Sequence, residues 1–220
     1  MNSIMTSKQY DKIYYEQGIE HGVSGYSNYH WVPEISLAIA HSLIVSLGLK
    51  SNSKILDYGC AKGFLVKAFD ILGYPKTYGI DVSEYAISKG DPSIKDRLVL
   101  LDENTSCLSA FTETFDWVIA KDVFEHIPET DLRNILQELA RTTTNMFVVV
   151  PLGDGQKYIV PEYEKDITHV IRQPLDWWSR LFQDNEFEVV QSSYEFGTLK
   201  RNWSHYPKGN GFFVLRSRSG

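Results

Sequence analysis

The amino-acid sequence predicts a doubly wound α/β sheet of seven strands, and three observations carry that expectation. The stretch Lys54–Asp81 reads as strand, tight glycine turn, helix and strand, with an acid closing each strand. Short apolar runs and helical periodicities then alternate as far as Val150, the pattern of parallel strands joined by helical crossovers. Two final strand-like runs, Phe187–Ser193 and Gly211–Arg216, have no helix between them and are expected as an antiparallel pair at one edge.

Residues 1–32 hold Tyr10, Tyr14, Tyr15, Tyr26, Tyr29 and Trp31 with Gly18, Gly22 and Gly25 between them. Apolar periodicity is poor there, so a loop-rich arm with one short helix around Ser7–Gln17 is expected. It either packs its rings on the body or forms a lid over a ligand. Residues 33–220 are expected to form the core of a single domain. From Pro33, Ile35, Ile39, Leu43 and Leu47 recur every four residues until Gly48, which predicts a helix.

Lys54–Tyr58 is the first strand, Gly59–Gly63 the turn, and Lys62–Leu72 a helix with Leu65, Ala68, Phe69 and Leu72 on one face. Thr77–Asp81 is the second strand. Ser83 can cap a short helix through Ser88, broken by Gly90, Asp91 and Pro92. Leu98–Leu101 and Phe115–Ala120 follow as strands, then a helix on Leu132, Ile135, Leu136 and Leu139, then the strand Met146–Val150. After a long irregular connection Pro174 opens a helix that turns Leu175, Trp178, Leu181 and Phe182 inward. The stretch between the last two strands has the length and composition of an acceptor-binding loop.

Length and charge narrow the classes of function. A chain of 220 residues with 43% hydrophobic and 23% charged residues suits one globular unit, and its formal charge of −6 argues against a sequence-independent nucleic-acid binder. Cys60 and Cys107 are too few for a disulfide framework or a structural zinc site. There is no signal-peptide pattern, and the longest apolar stretch, near Leu37–Leu47, is interrupted and too short for a bilayer. A cytoplasmic protein without a membrane span is expected, its oligomeric state open.

In sheets of this kind ligands bind beyond the carboxyl ends of the parallel strands, at the switch point. Asp57–Gly63, Asp81, Asp102 and Lys121–Asp122 all fall at such ends. Bare N–H groups in the glycine turn and the helix behind it would suit a carboxylate or phosphate. The run from Gly59, G-C-A-K-G-F, does not meet the dinucleotide fingerprint G-x-G-x-x-G. That disfavours a nicotinamide dehydrogenase.

The run that is present, D-x-G-x-A-x-G, closely resembles motif I of the class I S-adenosylmethionine-dependent methyltransferases, with Ala61 where that family more often has glycine. The resemblance implies a Rossmann-like seven-stranded methyltransferase sheet and S-adenosyl-L-methionine as cofactor. It puts the methionine end on Asp57 and the loop of Gly59, Cys60, Ala61 and Gly63. It puts the ribose on Asp81 beside Val82, and the adenine amino group on Asp102 beside Glu103. The segment K-D-V-F-E-H-I-P resembles the one that flanks the methionine moiety, so Lys121 and Asp122 lie where the methyl group should face the acceptor. Similar enzymes cover the cofactor with an N-terminal segment, which makes Tyr14 and Tyr15 candidates. The set G-C-A-K-G-F-L-V, G-I-D-V-S-E-Y-A-I and D-x-T-H…W-W resembles small methyltransferases of bacterial polysaccharide and nucleotide-sugar pathways. The partner it implies is a small-molecule acceptor, a sugar hydroxyl first. An N- or C-methyltransferase of another metabolite and a non-catalytic S-adenosylmethionine-binding regulator stay open.

A hydroxyl acceptor needs a base. His169 is the first candidate, with Asp166 three residues before it to orient the imidazole; alternatively Asp166 and Thr168 cap a turn. His126 is the second, at a place where the family often has a structural histidine, and Asp122 could hold the acceptor. His21, His30 and His205 belong to flexible segments. Trp177, Trp178, Trp203 and Tyr206 could stack on a sugar, with helix packing the alternative for the first two. Asp166, His169 and His126 lack the close-spaced pair of a zinc set, so no metal is expected.

Overall fold

The structure is a computed structural model and describes residues 7–101, 111 and 114–219. Asp102, Glu103 and Cys107 lie outside the described residues. The sheet contains β1 (Ile55–Tyr58), β2 (Thr77–Asp81), β3 (Leu98–Leu100), β4 (Phe115–Lys121), β5 (Thr143–Pro151), β6 (Phe187–Ser193) and β7 (Asn210–Ser217), in the order β3-β2-β1-β4-β5-β7-β6. The first five strands are parallel. The last two form the expected antiparallel pair, and the reversed strand, β7, lies between β5 and β6. The chain winds outward from β1 through β2 to β3, then returns to β4 on the other side of β1. The crevice between β1 and β4 is therefore the switch point.

Alternating side chains of the central strands feed two cores. Leu56, Ile80, Val118, Ala120, Met146 and Val148 face one way. They meet Leu132, Leu136 and Leu139 of one helix and Trp178, Leu181 and Phe182 of another. Ile55, Ile119, Phe147 and Val149 face the other way, against Ala40, Leu43, Ala68 and Phe69. The helices on this second side are α3 (Pro33–Leu47) and α4 (Phe64–Ile71). Those on the first are α6 (Glu129–Thr142) and α7 (Leu175–Asp184). The predicted stripes of α6 and α7 are the buried ones. On α3 the stripe is less regular, since Leu43 is buried whereas Ile35 is 59% exposed and Ala40 takes an inward place. Likewise Val66 replaces Leu72 on the buried side of α4.

The arm adopts two short helices, α1 (Lys12–Glu16) and α2 (Gly18–His21), with a 3₁₀ turn ahead of them. Its rings pack together: Tyr10, Tyr14 and Tyr15 are buried, with Tyr26 and Tyr29 against them and Tyr85 from the helix α5 (Glu84–Ser88). Ser83, as predicted, caps α5 by accepting from the Ala86 N–H, and its hydroxyl donates to the Tyr10 carbonyl at 2.5 Å. The strongest tie comes from the glycine turn. The buried ammonium of Lys62 donates to Glu16 Oε1 and to the Tyr29 carbonyl, each at 2.5 Å, and Glu16 also accepts from the Tyr85 hydroxyl at 3.0 Å. Burial of Glu16 is outweighed by these bonds, which hold its carboxyl below the usual range. Hydrogen bonds to a charged partner contribute about 1.5–3 kcal/mol. Lys62→Met is therefore expected to speed amide hydrogen exchange of the arm at least about tenfold while core amides keep their protection. Unchanged exchange in residues 7–31 would contradict the anchoring role.

Candidate active site

At the end of β1 the chain turns through Gly59 and Gly63, both in the left-handed region with φ of 77° and 74°. A Cβ at Gly59 would collide with Val123, and one at Gly63 with Ile94 and Leu98. Ala61 between them also has positive φ, 50°, which explains in this chain why glycine would be comfortable there. Cys60 is buried against Gly79, so the requirement at 60 is for a small side chain.

The expectation of bare N–H groups in the turn needs correction. Gly59 and Cys60 both donate to the Ile80 carbonyl, Gly63 donates to the Cys60 carbonyl, and Ala61 donates to Asp81 Oδ2 at 2.7 Å. The turn spends these donors on itself and on β2. What it leaves for a ligand is carboxylate charge. Asp57 closes β1 and Asp81 closes β2, both buried. Burial pushes the Asp57 carboxyl up to about 7, opposed by Lys121 and reinforced by Asp81. Burial also raises Asp81, offset in part by N–H groups of Ser83, Ala61 and Val82. Such a site favours a ligand with positive charge, an ammonium or sulfonium, over a pyrophosphate.

Opposite them, at the end of β4, Lys121 donates to Asp122 Oδ2 at 2.6 Å. Lys200, arriving on the loop between β6 and β7, places its ammonium 2.8 Å from Oδ1 of the same acid. Although burial works against it, the two lysines hold Asp122 well below the usual carboxylate range. Burial draws Lys200 down, against the pull of Asp122, and its ammonium also reaches the Tyr163 hydroxyl at 3.2 Å. Lys200 belongs to no motif, and only its place in the predicted acceptor loop hinted at it.

Beyond Asp122 the two candidate histidines meet, with ring centroids 4.5 Å apart. Asp166 does not orient His169, as the spacing suggested. It accepts from Tyr14 Oη at 2.8 Å and from Thr168 Oγ1 at 2.5 Å, and Thr168 Oγ1 lies 2.7 Å from His126 Nδ1. The acid thus reaches His126 through Thr168. His169 is oriented by Tyr163, whose carbonyl is 2.8 Å from its Nδ1. Burial, then His169 beside it, pushes His126 down to about 4; burial also lowers His169. Glu125, buried next to His126 and 4.0 Å from His169 Nε2, was missed, although it stands inside K-D-V-F-E-H-I-P.

Of the arm residues, Tyr14 is committed to Asp166, whereas Tyr15 lies near Asp81 and Ser83 at the end of β2. Val82 packs with the arm's rings. His21, His30, His41 and His205 are exposed. Trp178 is fully buried, so helix packing is its role, while Trp203 packs on Tyr163 in the loop.

Fold and site together define a class: an α/β protein with two buried strand-end carboxylates, Asp57 and Asp81, at the switch point of its sheet. A methyltransferase-domain family matches residues 34–192. The chain belongs to this family and is an S-adenosylmethionine-dependent methyltransferase. No curated protein matches the sequence. Magnesium protoporphyrin IX methyltransferase of Synechocystis PCC 6803, solved with bound SAH, is similar at a TM-score of 0.60 and 15% identity, over 96% of this chain and 93% of that one. The mitomycin 7-O-methyltransferase MmcR gives 0.58 and 14%, over 91% of this chain and 65% of that one, so the match spans under two thirds of MmcR. The [4+2]-cyclase SpnF gives 0.65 and 12%, over 98% and 97%. These likenesses concern the fold alone. None of the helices among the described residues is long and apolar enough to cross a membrane.

Two outcomes are expected. Because the folded pKa of Asp57 lies above its ordinary value of 3.8, the ligand-free protein loses stability as pH rises from there to about 7. A cationic cofactor prefers the ionised acid, so affinity should rise roughly tenfold from pH 6 to pH 8 in calorimetry, and Asp57→Asn should flatten the profile. Asp81→Asn should weaken cofactor binding about 10–100-fold, from lost charged hydrogen bonds. An unchanged dissociation constant would remove Asp81 from the cofactor site. Because Asp81 also ties down Ala61 and Ser83, Asp81→Ala is expected to cost stability as well, a departure from a purely ligand-binding role.

Proposed function

We propose that the chain transfers the methyl group of S-adenosylmethionine to a hydroxyl of a sugar or sugar-derived metabolite in the cytoplasm, as in polysaccharide or nucleotide-sugar metabolism. The methionine end lies on Asp57 and the Gly59–Gly63 loop, the ribose on Asp81 with Val82, the adenine on Asp102 and Glu103, and Tyr15 covers the nucleoside. Lys121 and Asp122 flank the methyl group. The sulfonium is already activated, so the protein's work is alignment, which contributes about 7–11 kcal/mol in a dry, ordered site.

One observation carries the choice of a hydroxyl acceptor. Beside Asp122 stand two imidazoles, His126 and His169, each with Nδ1 on an oxygen that orients it. Their Nε2 atoms are the proton acceptors nearest the acceptor side, and Asp166 acts as a positioning residue through Thr168 and Tyr14. An amine acceptor would need this machinery less, and a regulator that only binds the cofactor would not need it.

The test is incubation of the full chain with labelled cofactor and a panel of nucleotide sugars, amines and phenols. Label is expected in a sugar, and turnover confined to amines or phenols would overturn the acceptor class. His169→Ala is expected to lower turnover by about 10²–10⁴-fold with cofactor affinity unchanged. Cofactor binding without turnover on any class would favour the regulatory reading.

A further inference from the structure

Glu125 and His126 sit on the single 3₁₀ turn Phe124–His126 that follows β4, and His169 on the connection that follows β5. The fold brings one ligand-type atom of each within 4.8 Å of the other two. The proton inventory of this cluster is unusual. Thr168 Oγ1 gives its own proton to Asp166 Oδ1, so towards His126 it accepts, and His126 Nδ1 carries the hydrogen. The Tyr163 carbonyl can only accept, so His169 Nδ1 carries its hydrogen too. Both imidazoles therefore present a bare Nε2 lone pair.

The Glu125 carboxyl stands beside them. The Glu125 side chain is 1% exposed, and its Oε2 is buried without a hydrogen-bond partner among the described residues. Its Oε1 is 4.0 Å from His169 Nε2, too far for a shared proton. A buried carboxyl oxygen without a partner, close to two imidazoles, is the kind of orphaned polar atom that a bound cation would satisfy. The two imidazoles are also fixed in orientation. Their Nδ1 hydrogens are held by oxygen atoms, the arrangement that aims and strengthens a metal-binding histidine.

We propose that Glu125, His126 and His169 bind one divalent transition-metal ion through a carboxylate oxygen and the two Nε2 atoms. Two nitrogens and one oxygen suit zinc, iron or nickel better than magnesium or calcium, and three protein ligands leave positions open. Bonds of about 2.0–2.2 Å require the three groups to draw in by about 1 Å, a matter of side-chain rotation. The close-spaced pair missing from the set Asp166, His169 and His126 is supplied by Glu125 and His126, neighbours in the chain. Resting on the function proposed above, the ion would hold the acceptor oxygen in place of the bare imidazoles and ease loss of its proton. The oxygen's lone pair forms the new C–O bond as the C–S bond breaks, and the proton leaves to water.

The experiment is metal titration of the full chain after chelator treatment, with Zn²⁺ by calorimetry and Co²⁺ by visible absorption. One equivalent is expected to bind at micromolar or lower concentration, with Co²⁺ bands of a low-coordinate nitrogen and oxygen site. Glu125→Gln and His169→Ala should weaken binding at least a hundredfold, and His41→Ala, on the exposed side of α3, should leave it unchanged. Should those variants misfold, Thr168→Val, which removes the oxygen behind His126, should weaken binding about 10–100-fold. Absence of stoichiometric binding, or binding indifferent to the variants that fold, would overturn the proposal. S-adenosylhomocysteine calorimetry on the same samples separates the two readings: cofactor binding without metal binding sinks only this one, and the reverse sinks only the function above.

Discussion

The Asp81 carboxylate is the constraint on which the site depends. One oxygen takes the Ala61 N–H from the glycine turn and the other takes the Ser83 N–H at the start of α5. A buried acid tolerates its charge only when donors surround it, and the donors here come from the two segments at the mouth of the crevice. The turn after β1 is thereby pinned to the end of β2, and Ser83, set by the same acid, holds the arm through Tyr10. Local backbone, crevice and arm are tied together through one desolvated acid.

This economy also decides what the crevice can bind. Since Gly59, Cys60, Ala61 and Gly63 use their N–H groups internally, the turn has few donors left for an anion. Asp57 and Asp81 set the sign of the field, with Lys121 a partial counterweight. A sulfonium amino acid joined to a nucleoside answers that field at both ends. On the far side of Lys121 the groups are of another kind, Asp122 between two lysines and then the buried Glu125 carboxyl close to two imidazoles. The two halves of the crevice are thus electrostatically distinct.

Much of this was legible in the residues. The strand–turn–helix–strand run, Asp57, Asp81 and the glycines fall where the motif and the carboxyl-end rule placed them, because β-strand ends and glycine turns are local features. The stripes of α6 and α7 were readable for the same reason. Ile35 misled because it lies in the first turn of α3, ahead of the stretch around Ala40 and Leu43 that joins the core. The partner of His169 was out of reach: whether an acid three residues away or a carbonyl at Tyr163 orients an imidazole depends on how an irregular connection folds. Lys200 could not be found by spacing at all, since it meets Asp122 across 78 positions of sequence.

The place of β7 has a consequence for how the molecule is made. It is the last strand of the sheet to leave the ribosome, yet it occupies an interior slot, paired on one side with β5 and on the other with β6. Until it arrives, β5 and β6 present open backbone edges towards each other, and Phe147 and Val149 lack their cover from Phe212. A nascent chain halted before residue 210 would thus carry two unsatisfied edges at the heart of its sheet, an aggregation-prone species that chaperones would need to shield.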